Sequence, residues 1–163
     1  MPSSSASLIP SLRQASRQMV RELGFMQATL AATDYPPSAV HALLEIGQGN
    51  ALTAGDLVTL LGLEKSSVSR LVRKLVDAGE ISEQAHDQDA RSKKLQLSAR
   101  GRQTLAGIDR FAQAQVAAAL AHLSPAQQRS ACAGIADYAR ALRAVRLGDC
   151  LLYTSDAADD SLR

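Results

Sequence analysis

Apolar residues near the N-terminus recur at three- and four-residue steps. Leu8, Leu12, Ala15, Met19, Val20, Leu23, Met26 and Leu30 form one stripe, which predicts an amphipathic helix over about 7–32. Gly24 lies inside that stretch, at a cost of ~1 kcal/mol relative to alanine. The run Thr33-Asp-Tyr-Pro-Pro-Ser38 breaks the pattern and then opens a second helix, because proline is tolerated in a first turn. Val40, Leu43 and Leu44 are its apolar positions, and Gly47 or Gly49 ends it. Thr53-Ala-Gly-Asp56 places a hydroxyl and a carboxylate at capping-box spacing ahead of a short helix through Leu57, Leu60 and Leu61, which Gly62 stops. Glu64 or Lys65 starts another helix, with Val68, Leu71, Val72, Leu75 and Val76 inward and Gly79 at its end. Two short helices joined by a tight glycine-containing turn make a helix-turn-helix unit.

After Gly79 the period changes. Glu80–His86 and Lys93–Leu97 show short alternation, and between them Asp87-Gln-Asp-Ala-Arg-Ser92 is a polar turn cluster. The pattern predicts a two-stranded hairpin with a charged tip. Ser98–Arg102 leads into a long helix with Leu105, Ile108, Phe111, Val116 and Leu120, and Ser124-Pro-Ala-Gln127 marks the start of a last one, through Cys132, Ile135, Leu142 and Val145. The expected fold class is mainly α with a small β-hairpin. The segment Cys150–Asp160 continues no periodicity and resembles a transposase sequencing adapter translated in one frame. Residues 150–163 are therefore expected to be a non-native or disordered tail, and residues 1–149 one domain.

Composition narrows the function classes. Hydrophobic residues make up 46% of 163, so a full core is available, whereas aromatics make up only 3%, too few for the stacking platforms that hold single strands. No apolar run reaches the length of a membrane span, and the N-terminus lacks a secretion signal. Two cysteines, Cys132 and Cys150, make neither a disulfide framework nor a zinc site, so the expected location is the cytoplasm, with no membrane partner. Net charge is +2, and setting aside Asp156, Asp159, Asp160 and Arg163 of the tail shifts it further positive. Phosphate-bearing partners become plausible on that balance but are not demanded by it.

The face of the second helix-turn-helix element opposite its apolar side carries Ser66, Ser67, Ser69, Arg70, Arg73 and Lys74. Short hydroxyls let such a helix approach a major groove, and arginine supplies paired donors to guanine edges or phosphates. Taken alone, a solvated helix surface explains these residues as well; the hairpin that follows shifts the balance. At its tip Arg91 can reach a narrow minor groove, Asp89 two residues earlier can orient the guanidinium, and Lys93 and Lys94 add charge for phosphates. The competing reading is a plain exposed turn, where such pairs contribute little.

The stretch LTAGDLVTLLGLEKSSVSRLVRKLVDAGEISE, followed by DQDARSKKLQLSARG, resembles the winged helix of the MarR family of bacterial transcription regulators. Its wing signature is matched by Asp89, Arg91, Ser92, Leu95, Leu97, Ser98 and Gly101. The resemblance implies a winged helix over about 37–101 and a homodimer held by terminal helices, about 7–32 and 103–146. It also implies double-stranded DNA as partner, bound at an inverted-repeat operator, with a small-molecule effector as a further candidate ligand. Glu83 departs from the family, which often has arginine there, and puts one phosphate contact in doubt. SRQMVRELGF, SAVHALLEIG and KSSVSRLVRKLV resemble the subgroup fused to a GNAT-type acetyltransferase, but the pyrophosphate-loop motif of such a domain does not occur in this sequence. The alternative function is thus a regulatory or dimerisation module of a regulator–acetyltransferase, with weak or no DNA binding.

The remaining candidates are weaker. His41, His86 and His122 have no partner at metal-ligand spacing, so neither a metal nor another cofactor is expected. His41 can line an effector pocket, though such a residue is more often a packing group. Cys132 sits on an apolar stripe, where thiols are usually inert. No nucleophile–base pair is visible, and no enzyme activity is expected.

Overall fold

Capping and glycine stops set the boundaries of the elements. The computed structural model describes residues 5–50, 53–86 and 89–159; the side chains of 5–6, 86, 89–92 and 149–159 lie outside the description. The elements are α1 (Ser5–Glu22), α2 (Pro37–Gly47), α3 (Ala54–Leu61), α4 (Lys65–Asp77), β1 (Ile81–His86), β2 (Asp89–Leu97), α5 (Ala99–Leu120) and α6 (Pro125–Asp159). Chain contacts divide it into two units, residues 1–114 and 115–163.

Helix α1 stops well before the expected position 32. Gly24 takes a left-handed conformation, φ 82°. Its amide donates to Arg21 O at 3.0 Å and that of Phe25 to Val20 O at 3.2 Å. This paired closure satisfies the last carbonyls and turns the chain away, so the apolar period beyond it belongs to irregular backbone. Ala31 and Ala32 follow, both with φ 55°, a left-handed region in which a Cβ is strained.

At α3 the capping box forms as its spacing requires. The Asp56 amide donates to Thr53 Oγ1 at 3.2 Å, and Asp56 Oδ2 accepts from the Thr53 amide at 2.8 Å. Thr53 also bridges to Lys94 of β2, which ties the start of the helix-turn-helix to the hairpin. Strands β1 and β2 are antiparallel, with Ile81 opposite Leu97 and Ala85 opposite Lys93. The register then shifts, so that His86 faces Asp89 and Ala90, Arg91 and Ser92 lie between paired positions. The expected turn over 87–92 is therefore shorter, because pairing to His86 draws Asp89–Ser92 into β2. Asp87 and Gln88 lie outside the described residues.

The core of the first unit gathers Val40, Leu43 and Ile46 of α2, Leu57 of α3, Val68, Leu71, Val72 and Leu75 of α4, Ile81 and Leu95 of the hairpin, and Ile108 of α5. Val76, expected inward, is half-buried at its edge. The first turn of α5 packs against the end of α4. Ser98 Oγ accepts from the Gly101 amide at 2.9 Å and donates to Gly79 O at 2.6 Å, while the Ser98 amide donates to Glu80 O at 2.9 Å. A Cβ on residue 101 would stand 2.0 Å from Glu80 O, so only glycine fits. In the second unit Ser124 and Gln127 form the reciprocal cap of α6, and Gln128 Nε2 donates to Leu120 O and Leu123 O at 3.0 and 3.1 Å. Helix α6 passes Gly148 and runs to Asp159, where the sequence pattern predicts no helix; Leu151, Leu152, Ala157 and Ala158 are good helix formers.

Two glycine substitutions separate close packing from helix propensity. Gly101→Ala is expected to destabilise by about 2 kcal/mol or more, since a backbone carbonyl must move. Gly134→Ala, with nothing near its added Cβ, is expected to stabilise by about 0.5–1 kcal/mol. Urea unfolding of both variants checks the contrast.

Candidate nucleic-acid interface

Helix α4 presents its polar side because its apolar residues are spent on the core. Val68 and Leu75 are essentially sealed from water. On the other side Ser66, Ser69, Arg70, Arg73 and Lys74 are exposed, while Ser67 is half-buried. Arg70 Nη2 donates to Ser67 Oγ at 3.4 Å, a long bond one turn back along the helix that leaves the guanidinium at the surface. The six α4 residues singled out by the sequence thus share one solvent-facing side.

The hairpin joins this side through a groove of about 630 Å³ between α3, α4 and the β-strands. Its floor is apolar, with Val58, Val68 and Val72, and its rim carries Ser69, Arg73 and Lys93. Those three expected DNA-binding residues are therefore brought to one concave surface, whereas Ser66, Ser67, Arg70 and Lys74 lie on the helix beside it. Lys65 on the same rim was not among the expected residues. In the sequence it marks only the start of α4, and its place on the rim depends on how α4 packs against the hairpin. The backbones of Asp89 and Arg91 lie in β2, but their side chains, and the expected Asp89–Arg91 contact, lie outside the described residues.

Glu83 does more than withhold a cation. Its Oε2 accepts from Lys93 Nζ at 2.6 Å, a diagonal pair across the hairpin, with Glu83 opposite Leu95 in the ladder. A phosphate at this rim competes with Glu83 for Lys93.

Behind the interface lies a charged cluster that sequence reasoning missed. Glu80, between the glycine that ends α4 and the first residue of β1, is 1% exposed. Its Oε1 accepts from Tyr35 Oη at 2.7 Å and from Arg100 Nε at 3.1 Å. Burial, and then the hydrogen bond and charge of Glu80, push the Tyr35 phenol above its ordinary pKa. The hydrogen bond and charge of Glu80 likewise hold Arg100 above the usual arginine value. A charged residue directly after a helix-stopping glycine was the one available signal; its partners are distant in sequence. His41 stacks on Phe25, with ring centroids 5.5 Å apart, so it is a packing group rather than an isolated ligand. Cys132, expected on a covered stripe, is exposed in this chain. Among the described residues no group of three His, Cys, Asp or Glu stands close enough to hold a metal, and no helix is long and apolar enough to cross a membrane.

Comparison with known proteins places this arrangement. Residues 33–92 match the MarR family. The exopolysaccharide II synthesis transcriptional activator ExpG of Rhizobium meliloti is 31% identical over 97 residues, covering 60% of this chain and 50% of that protein. The chain thus spans about half the length of this curated relative. Streptococcus pneumoniae FabT, crystallised with DNA, superposes with a TM-score of 0.72 at 19% identity, over 83% of this chain and 97% of FabT. The S. aureus MepR–DNA complex gives 0.61 at 20% identity, over 80% and 94%. At these identities the two structures establish the winged helix fold.

Releasing Lys93 should strengthen contact with any duplex. Glu83→Gln is expected to raise DNA affinity a few-fold and to steepen its salt dependence by up to about one unit per half-site. Anisotropy titrations at several salt concentrations measure both; an unchanged slope would place Lys93 away from phosphate.

Proposed function

The chain carries a MarR family winged helix-turn-helix domain over residues 33–92, and on that premise we propose that it regulates transcription as a homodimer that binds double-stranded DNA at an inverted repeat. The observation that carries this reading is the single surface shared by the polar side of α4 and the hairpin rim, with Ser69, Arg73 and Lys93 around one groove. A helix with short hydroxyls toward its N-terminus approaches base edges closely, and a neighbouring hairpin follows the backbone. Arg70, nearer the N-terminus of α4, reads a base; Arg73 and Lys74 hold phosphates. Ser66 and Ser67 sit where the helix enters the groove. Arg91 enters the minor groove, with Asp89 orienting it. The complexes of FabT and MepR with DNA support the same use of this fold.

Dimerisation follows from uncovered apolar side chains. In the first unit Leu8, Ile9, Leu12 and Met26 are exposed, and in the second Val116, Ile135, Leu142 and Val145. Apolar surface of this extent is a mark of association, and a two-fold copy of the same chain is the usual partner. On this reading a second chain also covers Cys132. Sedimentation at micromolar concentration is expected to show a dimer; a clean monomer would remove the symmetric operator from the proposal.

Selection of binding sites from random duplexes tests the function. The parent is expected to enrich an inverted repeat with half-sites roughly 10 bp apart. Arg70→Ala is expected to cost ~1–3 kcal/mol and to relax one symmetric base position. Arg73→Ala is expected to weaken all sequences evenly and to lower the salt slope by about one per half-site. If the parent enriches nothing, the chain is instead an interaction module, as the regulator–acetyltransferase alternative requires.

A further inference from the structure

At the joint of α4 and β1 a carboxylate stands where an apolar side chain would seal the core. Glu80 is buried, and its Oε2 has no hydrogen-bond partner among the described residues. A buried carboxylate oxygen left without a donor costs stability. Replacing a buried ion pair by apolar residues of similar size is often neutral or stabilising. Stability alone therefore does not require this side chain. We propose that Glu80 is a positioning residue for DNA binding, which fixes the direction in which the hairpin wing leaves the recognition helix.

The backbone of Glu80 is attached at two points. Its amide donates to Leu75 O and its carbonyl accepts from the Ser98 amide, both at 2.9 Å. Two points set where the chain passes and leave rotation about the line between them. Ile81 and Leu95 hold the base of the hairpin to the core, but apolar contact is non-directional and permits sliding. The side chain of Glu80 adds a third attachment that is directional. Its Oε1 accepts from Tyr35 Oη at 2.7 Å and from Arg100 Nε at 3.1 Å. One donor comes from the chain ahead of α2 and the other from the first turn of α5. Burial first, then the bond and charge of Glu80, raise the pKa of the Tyr35 phenol, so it stays a donor at neutral pH.

The chain ahead of α2 is shaped to deliver Tyr35. Ala31 and Ala32 both take a left-handed φ of 55°. The Leu30 amide donates to Tyr35 O at 2.9 Å, and Thr33 Oγ1 accepts from the Tyr35 amide at 3.1 Å. Strain of this kind persists only where the surrounding structure over-determines it. Here the closed loop sets the phenol against Glu80.

Direction matters because the wing is a lever. Strand β1 has 6 residues, about 20 Å at ~3.3 Å per residue. A tilt of about 10° at its base then moves its far end by roughly 3.5 Å, more than a hydrogen bond tolerates. Contacts from α4 and from the hairpin to one duplex are then no longer met together. The effect on DNA rests on the proposed function; the fixed direction of the hairpin does not.

Glu80→Leu, Glu80→Gln and Tyr35→Phe in the full chain test the role. Glu80→Leu should unfold in urea at the parental midpoint or above it. It should nevertheless bind the selected inverted repeat about tenfold more weakly, with a smaller loss on random duplex. Glu80→Gln keeps Oε1 as acceptor for both donors and should bind within about threefold of the parent. Tyr35→Phe removes one hydroxyl from a half-buried ring; it should give an intermediate loss, and it decides the matter if Glu80→Leu does not fold. Residual dipolar couplings of amides in β1 and α4 report their relative direction. In Glu80→Leu and Tyr35→Phe the β1 couplings should shrink against those of α4. Affinity that falls only in step with the urea midpoint, or β1 couplings in the parental ratio to those of α4, would overturn the proposal. If the parent binds no duplex, the function of the preceding subsection fails; shrunken β1 couplings then still uphold the fixed direction of the wing, and parental ones overturn it.

Discussion

The close approach of α5 to the backbone of Glu80 is the constraint on which the first unit depends. The recognition helix ends, the wing begins and a long helix starts within a few ångströms of one carbonyl. Gly101 makes the approach possible, and Ser98 fastens it from the side by bonding both Gly79 and Gly101. Each participant satisfies backbone groups that the end of a helix or strand leaves unpaired. The joint therefore costs little hydrogen bonding and fixes three directions of chain at once. Displacing any of these elements strips the others of partners.

Much of this was legible because it is written in local signals. The capping box of Thr53 and Asp56, the reciprocal cap of Ser124 and Gln127, and the glycine stops at 62 and 79 have the spacing their chemistry demands, and they formed. The polar side of α4 was legible for the converse reason: once Val68, Leu71, Val72 and Leu75 are assigned to the core, the remaining residues have one place to go. The apolar stripe of α1 runs on past Gly24, where the backbone leaves the helix, so the stripe alone overstates the length of α1. A helix needs both a stripe and an unbroken backbone, and the stripe survived where the backbone did not.

What could not be read depends on distance along the chain. Tyr35, Glu80 and Arg100 meet only after α2, α4 and α5 have packed, and no spacing rule connects them. The partnership of Glu83 with Lys93 is nearer in sequence, yet it depends on register, and a shift of one residue would set them on opposite faces. Sequence showed an acid where a base is common; only the ladder showed that the acid occupies a cation of the rim.

The bridge between Thr53 and Lys94 bears on how the unit meets a rigid rod. It joins the start of the helix-turn-helix to the inner edge of the hairpin, so helix and wing keep a set separation. A hand with fixed span does not adapt to what it grasps. On the proposed function, a duplex engaged by both would itself have to supply the fit, widening one groove or narrowing the next, and sequences that yield easily would be favoured at positions no side chain touches.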